Sequence, residues 1–504
     1  MDNIFTSDRE RFRAFTDAAE FDRIINIPTV NEMWEKCLKE YKDTVAVCDD
    51  GQEYTFARIE EDASRFRPLL GKGRRIALLI PNSYEFVKAY IAVVTSGNTA
   101  VILPPQLNEQ AVFGCGMLFS FDTVVYLPGF EDKLSLIKER RPDVKCIPST
   151  ERADTAEPAA AASPSDPCVI MMTGGTTGRS KGALLSHKAV MEGTVNGCYG
   201  VEHVFGQRYL LVLPLSHVFG LIRNLMTSFY TGSTLFICRS NKDMFRDCAA
   251  FRPTIMVMVP ALAEMALTLS RKFGRNMLGP DMKTVICGAA AVSPYLLREY
   301  PKMGVTLLPG YGLTESANLV SGNPDPVGHI ESVGIPYPNQ QLRIVDGELW
   351  LRGDNMMDGY VGEPAVNEAA YEDGWFRTGD LVRIDGDGFL YITGRSKEII
   401  VLSNGENVSP AEVEARFNAP AFIQDSQVFE DVLPGGSHIL ALEVVPRASE
   451  LKDVEGDPKA YIIAEMEKIN KELPPYQRVS RIEVRDTDFE RSPSMKILRY
   501  HKCK

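Results

Sequence analysis

The sequence predicts an α/β protein in which a large N-terminal domain carries a small β-rich subdomain and is followed by a smaller α+β domain. Short apolar runs alternate with amphipathic helical patterns through Cys287, which is typical of a parallel sheet covered by helices. From Gly347 the chain changes to β-like runs punctuated by Gly and Asp. Past Arg395 enough sequence remains for a separate domain, so we expect domains over residues 1–395 and 396–504.

The alternation can be followed along the chain. Residues 53–70 are expected to form a turn and an amphipathic helix, and residues 75–80 a buried strand. Ser83 is expected to cap a second helix, which ends at Gly97. Further expected segments are the strands 100–103, 209–213, 233–238, 254–259, 284–287 and 439–445, the linker 151–167 and the helix 461–473.

Composition narrows the class of protein. A formal charge of −12, from 55 Lys and Arg against 67 Asp and Glu, argues against a nucleic-acid binder held by phosphate contacts. The ten cysteines include no close-spaced pair and the six histidines show no ligand spacing, so neither disulfides nor a zinc site is indicated. The N-terminus lacks the apolar core of a signal peptide, and no run approaches 18 apolar residues. We therefore expect a cytoplasmic protein without a transmembrane segment.

Residues 169–182, VIMMTGGTTGRSKG, join an apolar strand pattern to a cluster of small, hydroxylated and basic residues. Glycines let a backbone turn and approach a ligand closely, hydroxyls donate hydrogen bonds, and a lysine supplies positive charge for phosphate oxygens. No Gly-Lys-Ser/Thr closes the segment, so it is not a Walker A loop, and a flexible hairpin turn is the alternative. The expected anion-binding nest consists of Thr173, Gly174, Gly175, Thr176, Thr177, Gly178, Ser180 and Lys181.

Six further segments need a common explanation. In order and spacing, together with residues 169–182, they resemble the adenylate-forming (AMP-binding) superfamily, most closely its acyl-CoA synthetases. The resemblance covers essentially the whole chain and implies a large domain of layered sheets and helices, a smaller mobile C-terminal domain, and a nucleotide between them. The segments are LPLSHVFG (213–220), ICGAAAVS (286–293), PGYGLTES (309–316), WFRTGD (375–380), GRSKEIIVLSNGENVSPAEVE (394–414) and RSPSMKILR (491–499).

The resemblance implies a reaction. The enzyme would use ATP and Mg²⁺ to convert a carboxylic acid into an acyl adenylate, release pyrophosphate, and transfer the acyl group to the thiol of coenzyme A. Because two anions must meet at the α-phosphate, positive charge there should be the dominant catalytic contribution. Lys496 matches the family's catalytic lysine, although Met495 stands where many relatives carry Gly.

Other roles follow from the same resemblance. Thr314 would contact phosphate and Glu315 would bind magnesium, whereas a solvated loop acid is the alternative for Glu315. Asp380 would accept the ribose hydroxyls with help from Arg395, for which a surface ion pair is the alternative. The small side chains of Gly288, Ala289 and Ala290 would leave room for the adenine ring, on which Tyr311, followed by Gly312, would stack. These small residues could equally form a tight core turn.

Two assignments concern the acyl side and the domain movement. His217 would border the carboxylate pocket, with a buried structural histidine as the alternative. Lys397 matches the hinge position, and residues 403–407 would belong to a loop that swings toward the thiol. Val401 stands where luciferases and many aryl-activating relatives carry a lysine, and residues 174 and 179–180 also depart from the usual pattern.

The substrate is expected to lack an α-amino group. Residues 216–232 contain no carboxylate that could pair with a substrate ammonium, and burying that group unpaired would cost several kcal/mol. Phe219, Leu221, Leu225 and Met226 are compatible with a fatty or aryl tail, or they form helix core. The rival functions are an adenylating enzyme that loads a separate acyl carrier protein and a catalytically silent, nucleotide-binding regulatory protein.

Overall fold

The predicted α/β class is confirmed. The computed structural model describes residues 4–173, 181–402, 406–432, 438–452, 454–491 and 497–499. Within them, two large sheets and a β subdomain make up the N-terminal part, and the C-terminal part has its own hydrophobic core, centred on Val413, Phe417, Leu442 and Met466. This separate core supports two domains, and the boundary between residues 395 and 396 stays a prediction.

The first sheet has a parallel centre with an antiparallel hairpin at one side. Apolar strands buried on both faces form the centre, as is usual where helices cover both sides. The hairpin pairs Thr173 with Lys181, so residues 174–180 connect two adjacent strands. In spatial order the strands are Gly359–Tyr360, Lys181–Ser186, Pro167–Thr173, Thr99–Ile102, Arg75–Leu79, Thr123–Tyr126 and Lys145–Pro148.

The second sheet is larger and shares the same core. Its six central strands are parallel, and antiparallel strands complete both edges. In spatial order the strands are Ile335–Pro336, Ser321–Gly322, Thr306–Tyr311, Thr284–Cys287, Ile255–Met258, Arg208–Leu211, Thr234–Ile237, Val45–Asp49 and Gln52–Thr55.

Helices cover these sheets, and most of them begin at a side-chain cap. Ser83, for example, accepts a hydrogen bond from the backbone N–H of Phe86, as predicted. Phe219–Met226 is a π-helix, a rare form that is frequent at functional sites. The α-helices are Ala18–Phe21, Val30–Glu40, Phe56–Phe66, Tyr84–Val94, Glu109–Phe119, Ser135–Arg140, His187–Asn196, Thr227–Tyr230, Met244–Phe251, Pro260–Phe273, Pro294–Glu299, Pro364–Ala370, Pro410–Phe417 and Pro458–Glu472.

The β subdomain is an antiparallel sheet that also includes the N-terminal strand of the described chain. Its long strand turns back at residues 385–388, where the Asp385 carboxylate accepts from the backbone N–H groups of Asp387 and Phe389. These bonds close a hairpin turn between the two strands. The strands are Ile4–Thr6, Gln340–Val345, Glu348–Gly353, Trp375–Ile384, Tyr371–Glu372 and Leu390–Arg395.

The C-terminal part packs helices on a mixed sheet. The strands Ile423–Val432 and His438–Pro446 are antiparallel, Arg481–Val484 runs parallel to the second of them, and a short pair, Ile400–Val401 and Asn407–Val408, precedes them. Arg447 joins this part to the N-terminal part, because its guanidinium binds both carboxylate oxygens of Glu264 at 2.7 and 3.2 Å.

The predicted linker 151–167 is irregular but does not separate two domains. Asn31 donates to the carbonyl oxygen of Ala160 at 2.6 Å, and the N–H of Ala160 donates to the carbonyl oxygen of Thr95. The strands on either side belong to the same sheet. The segment is therefore a crossover packed on the first sheet, which its Ala- and Pro-rich composition does not reveal.

Two further observations bear on the expected location. The nine cysteines in the described ranges are free thiols that are buried or half-buried. In the described part of the chain, every helix is too short or too polar to cross a membrane.

Candidate active site

One cleft of about 2170 Å³ is lined by residues of both parts of the chain. Every described residue that was predicted for the nucleotide, the metal, the carboxylate or the hinge contributes to its wall. Gly174, Gly175, Thr176, Thr177, Gly178 and Lys496 lie outside the described residues. The predicted residues that line the cleft are Thr173, Lys181, His217, Gly288, Ala289, Ala290, Tyr311, Gly312, Thr314, Glu315, Asp380, Arg395 and Lys397.

The topology explains why these distant residues meet. Thr173 and Tyr311 end their strands, and Gly288 directly follows a third strand. The strands that end at Cys287 and Tyr311 are parallel neighbours, so their carboxyl ends lie side by side. Ligands of open α/β sheets bind outside the carboxyl ends of the strands, and this cleft has that position.

Asp380 holds two donors inside the cleft. The Tyr311 hydroxyl donates to its Oδ2 at 2.5 Å, and the Arg395 Nε donates to its Oδ1 at 2.8 Å. Asp380 and Arg395 face each other on adjacent strands, and Asp380 is only 2% exposed. Burial and the neighbouring Asp380 raise the pKa of Tyr311 well above its ordinary value, so the phenol stays a donor. Arg395 therefore belongs to a buried cluster and is more than a surface ion pair.

Glu315 lies in a short turn, Thr314–Ser316, and is connected to Lys181 through a residue that the sequence did not indicate. The Tyr360 hydroxyl donates to Oε1 of Glu315 at 2.7 Å. The Lys181 ammonium lies 4.8 Å from the centre of the Tyr360 ring, within cation–π distance. Burial raises the pKa of Tyr360, followed in effect by the Glu315 charge. Tyr360 thus contacts both the hairpin lysine, through its ring, and the acid, through its hydroxyl.

The small residues of the site are required by the fold itself. A Cβ on Gly312 would lie 1.4 Å from the carbonyl oxygen of Asn318, which no side chain can satisfy. A Cβ on Gly288 would lie 3.0 Å from the carbonyl oxygen of Gly310 and 3.4 Å from the Phe219 ring. The close packing of Gly288 agrees with the alternative of a tight core turn, and both glycines also line the cleft.

His217 lies at the entrance to the π-helix. Its Nδ1 accepts from the backbone N–H of Phe219 at 3.2 Å, so Nε2 carries the proton when the ring is neutral. The side chain is half-buried and lines the cleft, in contrast to the alternative of a fully buried structural histidine.

The π-helix contributes other residues to the cleft than those expected. Phe219 lines the cleft, but Leu221, Leu225 and Met226 are completely buried in the main core and do not contribute to the cleft wall. The helix-core alternative is therefore correct for these three. Arg223, which the sequence analysis passed over, lines the cleft instead and is only 2% exposed. The sequence contained one indication of this role, because Arg223 is the only charged residue in the otherwise mostly apolar run GLIRNLM.

The C-terminal part supplies the remaining wall. Arg491 and Ile497, which flank the undescribed residues 492–496, both line the cleft. Lys397 is exposed in the turn Ser396–Glu398, directly after the strand that ends at Arg395. Arg499 holds the chain behind residue 496 in place, because it binds both oxygens of Glu414, at 2.8 and 2.7 Å.

This arrangement defines a class of protein: a nucleotide-dependent enzyme with a catalytic cleft between a large α/β domain and a small C-terminal domain. The sequence matches the model of the AMP-binding enzyme family over residues 34–361 and that of the AMP-binding enzyme C-terminal domain over residues 397–504. The chain belongs to the AMP-binding enzyme family, and the resemblance found in its sequence is confirmed.

Curated relatives and solved structures agree with this assignment. The chain is 28% identical to a long-chain-fatty-acid–CoA ligase of Mycobacterium bovis over 85% of this chain and 86% of that protein. It is also 28% identical to a probable CoA ligase of Humulus lupulus, over 77% and 81%. ATP-bound MatB from Rhodopseudomonas palustris has a TM-score of 0.80 at 22% identity, over 93% and 97% of the two chains. The o-succinylbenzoate coenzyme A synthetase of Bacillus subtilis with ATP and magnesium has a TM-score of 0.77 at 24% identity, over 93% and 98%.

Proposed function

We propose that this protein is an AMP-forming acid–thiol ligase. It activates a carboxylic acid with ATP as an acyl adenylate, releases pyrophosphate, and transfers the acyl group to the thiol of coenzyme A. The observation that carries the proposal is that one cleft between the two parts of the chain gathers all the described residues predicted for the nucleotide, the metal, the carboxylate and the hinge. Family membership and the names of the curated relatives support the same reaction.

The nucleotide end of the cleft is assigned to the cluster around Asp380. Its carboxylate accepts hydrogen bonds from Tyr311 and Arg395, and an acceptor-only group of this kind suits the two ribose hydroxyls. Gly288, Ala289, Ala290 and Gly312 form the adjoining wall, against which the adenine ring would lie beside Tyr311.

The phosphate end is assigned to the hairpin and to the turn at Thr314. Thr173 and Lys181 lie at the two ends of the hairpin connection, to which Gly174, Gly175, Thr176, Thr177 and Gly178 also belong. Backbone N–H groups, hydroxyls and one ammonium in such a connection suit the phosphate oxygens of ATP. The Thr314 hydroxyl is assigned to the same phosphates.

Glu315 is the residue that would hold Mg²⁺. A single carboxylate that shares the ion with phosphate oxygens and water is the donor set that Mg²⁺ prefers, and Glu315 offers it beside Lys181. When bound, Mg²⁺ neutralises part of the triphosphate charge. The Tyr360 hydroxyl fixes the orientation of the Glu315 carboxylate through its hydrogen bond.

The remaining roles are assigned to His217, Lys496 and Lys397. His217 borders the carboxylate of the acid, and Lys496 brings positive charge to the acyl carboxylate and the α-phosphate during adenylation. Lys397 is the hinge about which the C-terminal domain moves between the two half-reactions. Its exposed backbone turn between the two parts of the chain supports this assignment.

An exchange experiment tests the reaction. Fatty, aryl and amino acids are each supplied with ATP, Mg²⁺ and labelled pyrophosphate, and incorporation of label into ATP is measured. We expect acids without an α-amino group to support exchange and coenzyme A to convert the product into a thioester detected by mass spectrometry. If none of the acids supports exchange, a silent nucleotide-binding protein is favoured. If an acid supports exchange but no thioester with coenzyme A is formed, a separate acyl carrier protein is favoured as the acceptor.

The cytoplasmic location is also part of the proposal. The nine described cysteines are unpaired, which fits a reducing compartment. Fractionation of cells that produce the protein, with a known cytoplasmic marker, tests this location.

A further inference from the structure

Arg223 is a buried cation without a charged protein partner in the described chain. Its side chain lines the cleft and is 2% exposed, yet it forms no ion pair with any described residue. Its Nη1 is inaccessible to solvent and unsatisfied. A buried guanidinium left in this state is costly, because five N–H donors and a full charge have lost their water.

The surrounding protein positions this guanidinium but does not neutralise it. Gly197 makes room for its stem, since a Cβ at that position would lie 3.1 Å from Cδ of Arg223. Tyr209 lies close enough for the positive charge to oppose the rise of the phenol pKa that burial causes. A hydrogen bond between Arg223 and the Tyr209 hydroxyl acts in the same direction, but a neutral phenol cannot balance a cation.

Two carboxylates in this part of the N-terminal domain are engaged elsewhere. Glu192 accepts from Asn26 and Asn339, at 3.0 and 3.2 Å. Glu20 accepts from the backbone N–H groups of Val204 and Phe205. Neither acid pairs with Arg223, so the balancing negative charge has to come from outside the described chain.

A tyrosine wall adds a second donor on the same side of the cleft. Tyr199 and Tyr337 both line the cleft, and the ring of Phe12 packs against both at 5.4 Å between centroids. The Tyr337 hydroxyl has no partner among the described residues, and burial raises its pKa to about 12 while the charge of Arg223 lowers it. This neutral phenol and the guanidinium can therefore donate to one oxygen-bearing group.

The location of Arg223 places that group at the far end of the substrate acid. Arg223 follows Phe219 by four residues, about one turn along the π-helix, and Phe219 lies against Gly288 at the strand ends. The ribose cluster of Asp380 and Arg395 has its own charges in balance. If the acid lies along the His217 and Phe219 side of the cleft, its activated carboxylate faces the nucleotide and its other end faces Arg223.

We propose that the substrate is a dicarboxylic acid whose second, unreacted carboxylate is bound by Arg223 and the Tyr337 hydroxyl. This inference rests on the proposed acid-activating function and specifies its substrate class. A guanidinium binds a carboxylate through two parallel hydrogen bonds, which gives both charge balance and orientation. It also departs from the expectation of a fatty or aryl tail, for which three of the four supporting side chains do not line the cleft.

The test compares acids in matched pairs. Malonate, glutarate, suberate and dodecanedioate are each paired with the monocarboxylate of the same carbon number, and exchange is measured with wild type, Arg223→Met and Arg223→Lys. We expect wild type to favour a dicarboxylate at its best chain length. Arg223→Met should lower kcat/KM for that acid by about 10²- to 10³-fold, mainly through KM, and should leave the paired monocarboxylate unchanged or improved. Arg223→Lys should lie between the two.

Stability provides an independent readout. Because Arg223 is unpaired without substrate, Arg223→Met should melt at the same or a higher temperature than wild type, whereas loss of a structural ion pair would lower it. Leu225→Met, on the same helix but in the core, is the control and should not change the ratio between paired acids.

The possible results distinguish a failure of the dicarboxylate proposal from a failure of the proposed ligase function. If monocarboxylates exceed their dicarboxylate partners at every length in wild type, or if Arg223→Met lowers both equally, the second-carboxylate site is overturned while the ligase stands. If no acid of any class supports exchange in wild type, the ligase proposal itself fails.

Discussion

Asp380 shows how one buried carboxylate can organise a site before any ligand arrives. Tyr311 and Arg395 approach it from different strands, so its charge is balanced and its orientation fixed. Tyr360 does the same for Glu315. The polar side chains assigned to ribose and magnesium are therefore held in place by protein bonds, which lowers the ordering cost of nucleotide binding.

Lys496 should matter in the first half-reaction and not in the second. Lys496→Ala should lower the rate of acyl-adenylate formation by at least about 10²- to 10³-fold, the usual effect of removing one electrostatic stabiliser. Conversion of synthetic acyl adenylate to thioester should persist. Lys459→Ala removes an exposed lysine of the same domain and is the control. Equal losses in both half-reactions would contradict the assignment.

His187 should make the fold sensitive to mild acid. Its Nδ1 accepts from the backbone N–H of Val30, and burial lowers its pKa from 6.5 to about 4. Between pH 6.5 and about pH 4, His187 is protonated in the unfolded chain but neutral in the native protein. The free energy of unfolding therefore falls as the pH falls through this range. The loss amounts to about 3 kcal/mol, from about 2.5 pH units at 1.36 kcal/mol each.

Urea unfolding at several pH values between 7 and 4 measures this effect. His187→Gln keeps a side-chain acceptor for Val30 but cannot be protonated, so its stability should change less with pH than that of wild type. A pH dependence identical to wild type would show that His187 is not the group responsible.

At the scale of elements, the π-helix and the hairpin both contribute to the wall of the cleft, and they are the elements that helical and strand periodicity predict least well. The sequence predicted the strands on both sides of each wall, because alternating apolar runs reflect burial directly. It also found the cleft residues, because short motifs keep their spacing. It missed Tyr360, Tyr337 and Arg223, because their positions in the cleft depend on how segments far apart in the chain pack together.

The π-helix explains a further error. Leu221, Leu225 and Met226 share the apolar character of a pocket lining, but the sequence does not show which side of the helix faces the cleft. A π-helix has a wider turn than an α-helix, so helical spacing also assigns its faces incorrectly. Packing against the sheets decides this question, and packing is settled only in the folded chain.

Gly220 should be essential to the start of the π-helix. A Cβ at this position would lie 2.3 Å from the carbonyl oxygen of Pro214, a backbone atom that cannot move freely. Gly220→Ala should therefore destabilise the protein by about 1–3 kcal/mol and reduce exchange, because His217 and Phe219 lie directly before it. Urea unfolding and the exchange assay measure the two effects.

A matched glycine provides the control. Gly114 lies within the helix Glu109–Phe119, and no atom lies within 4 Å of a Cβ built there. Gly114→Ala should be neutral or stabilising by up to about 1 kcal/mol, since alanine favours a helix. A Gly220→Ala protein as stable as wild type would mean that the contact with Pro214 relaxes at little cost.

For the molecule as a whole, the helix Pro260–Phe273 carries the contacts that join the two parts. Glu264 on this helix binds Arg447, whose side chain is 4% exposed, and Arg271 binds Glu450. Tyr295 also donates to Glu450 at 2.7 Å. In the domain arrangement that these bonds hold together, Arg491 and Ile497 line the cleft. These are the described residues on either side of Lys496.

Loss of the Glu264 pair should therefore affect adenylation more than thioester formation. Glu264→Gln removes the charge that balances Arg447, so the arrangement that brings the C-terminal segment to the cleft should be less populated. We expect exchange to fall about tenfold, the effect of a 1.4 kcal/mol change, while synthetic adenylate is still converted. Asp281→Asn, which breaks the exposed pair with Arg252, should leave both rates unchanged. If Glu264→Gln lowered thioester formation alone, the Glu264–Arg447 pair would belong to the thioester-forming arrangement, and the prediction would be wrong.

The buried thiols have a practical consequence for all of these assays. Burial is the largest cause of a raised pKa at each of the nine described cysteines, so thiolates are scarce at neutral pH. A colorimetric thiol reagent added to the native enzyme should therefore titrate the free coenzyme A and find little else among these cysteines to modify. Thioester formation can then be followed in timed samples as the loss of reagent-accessible thiol, against a background to which these nine cysteines contribute little.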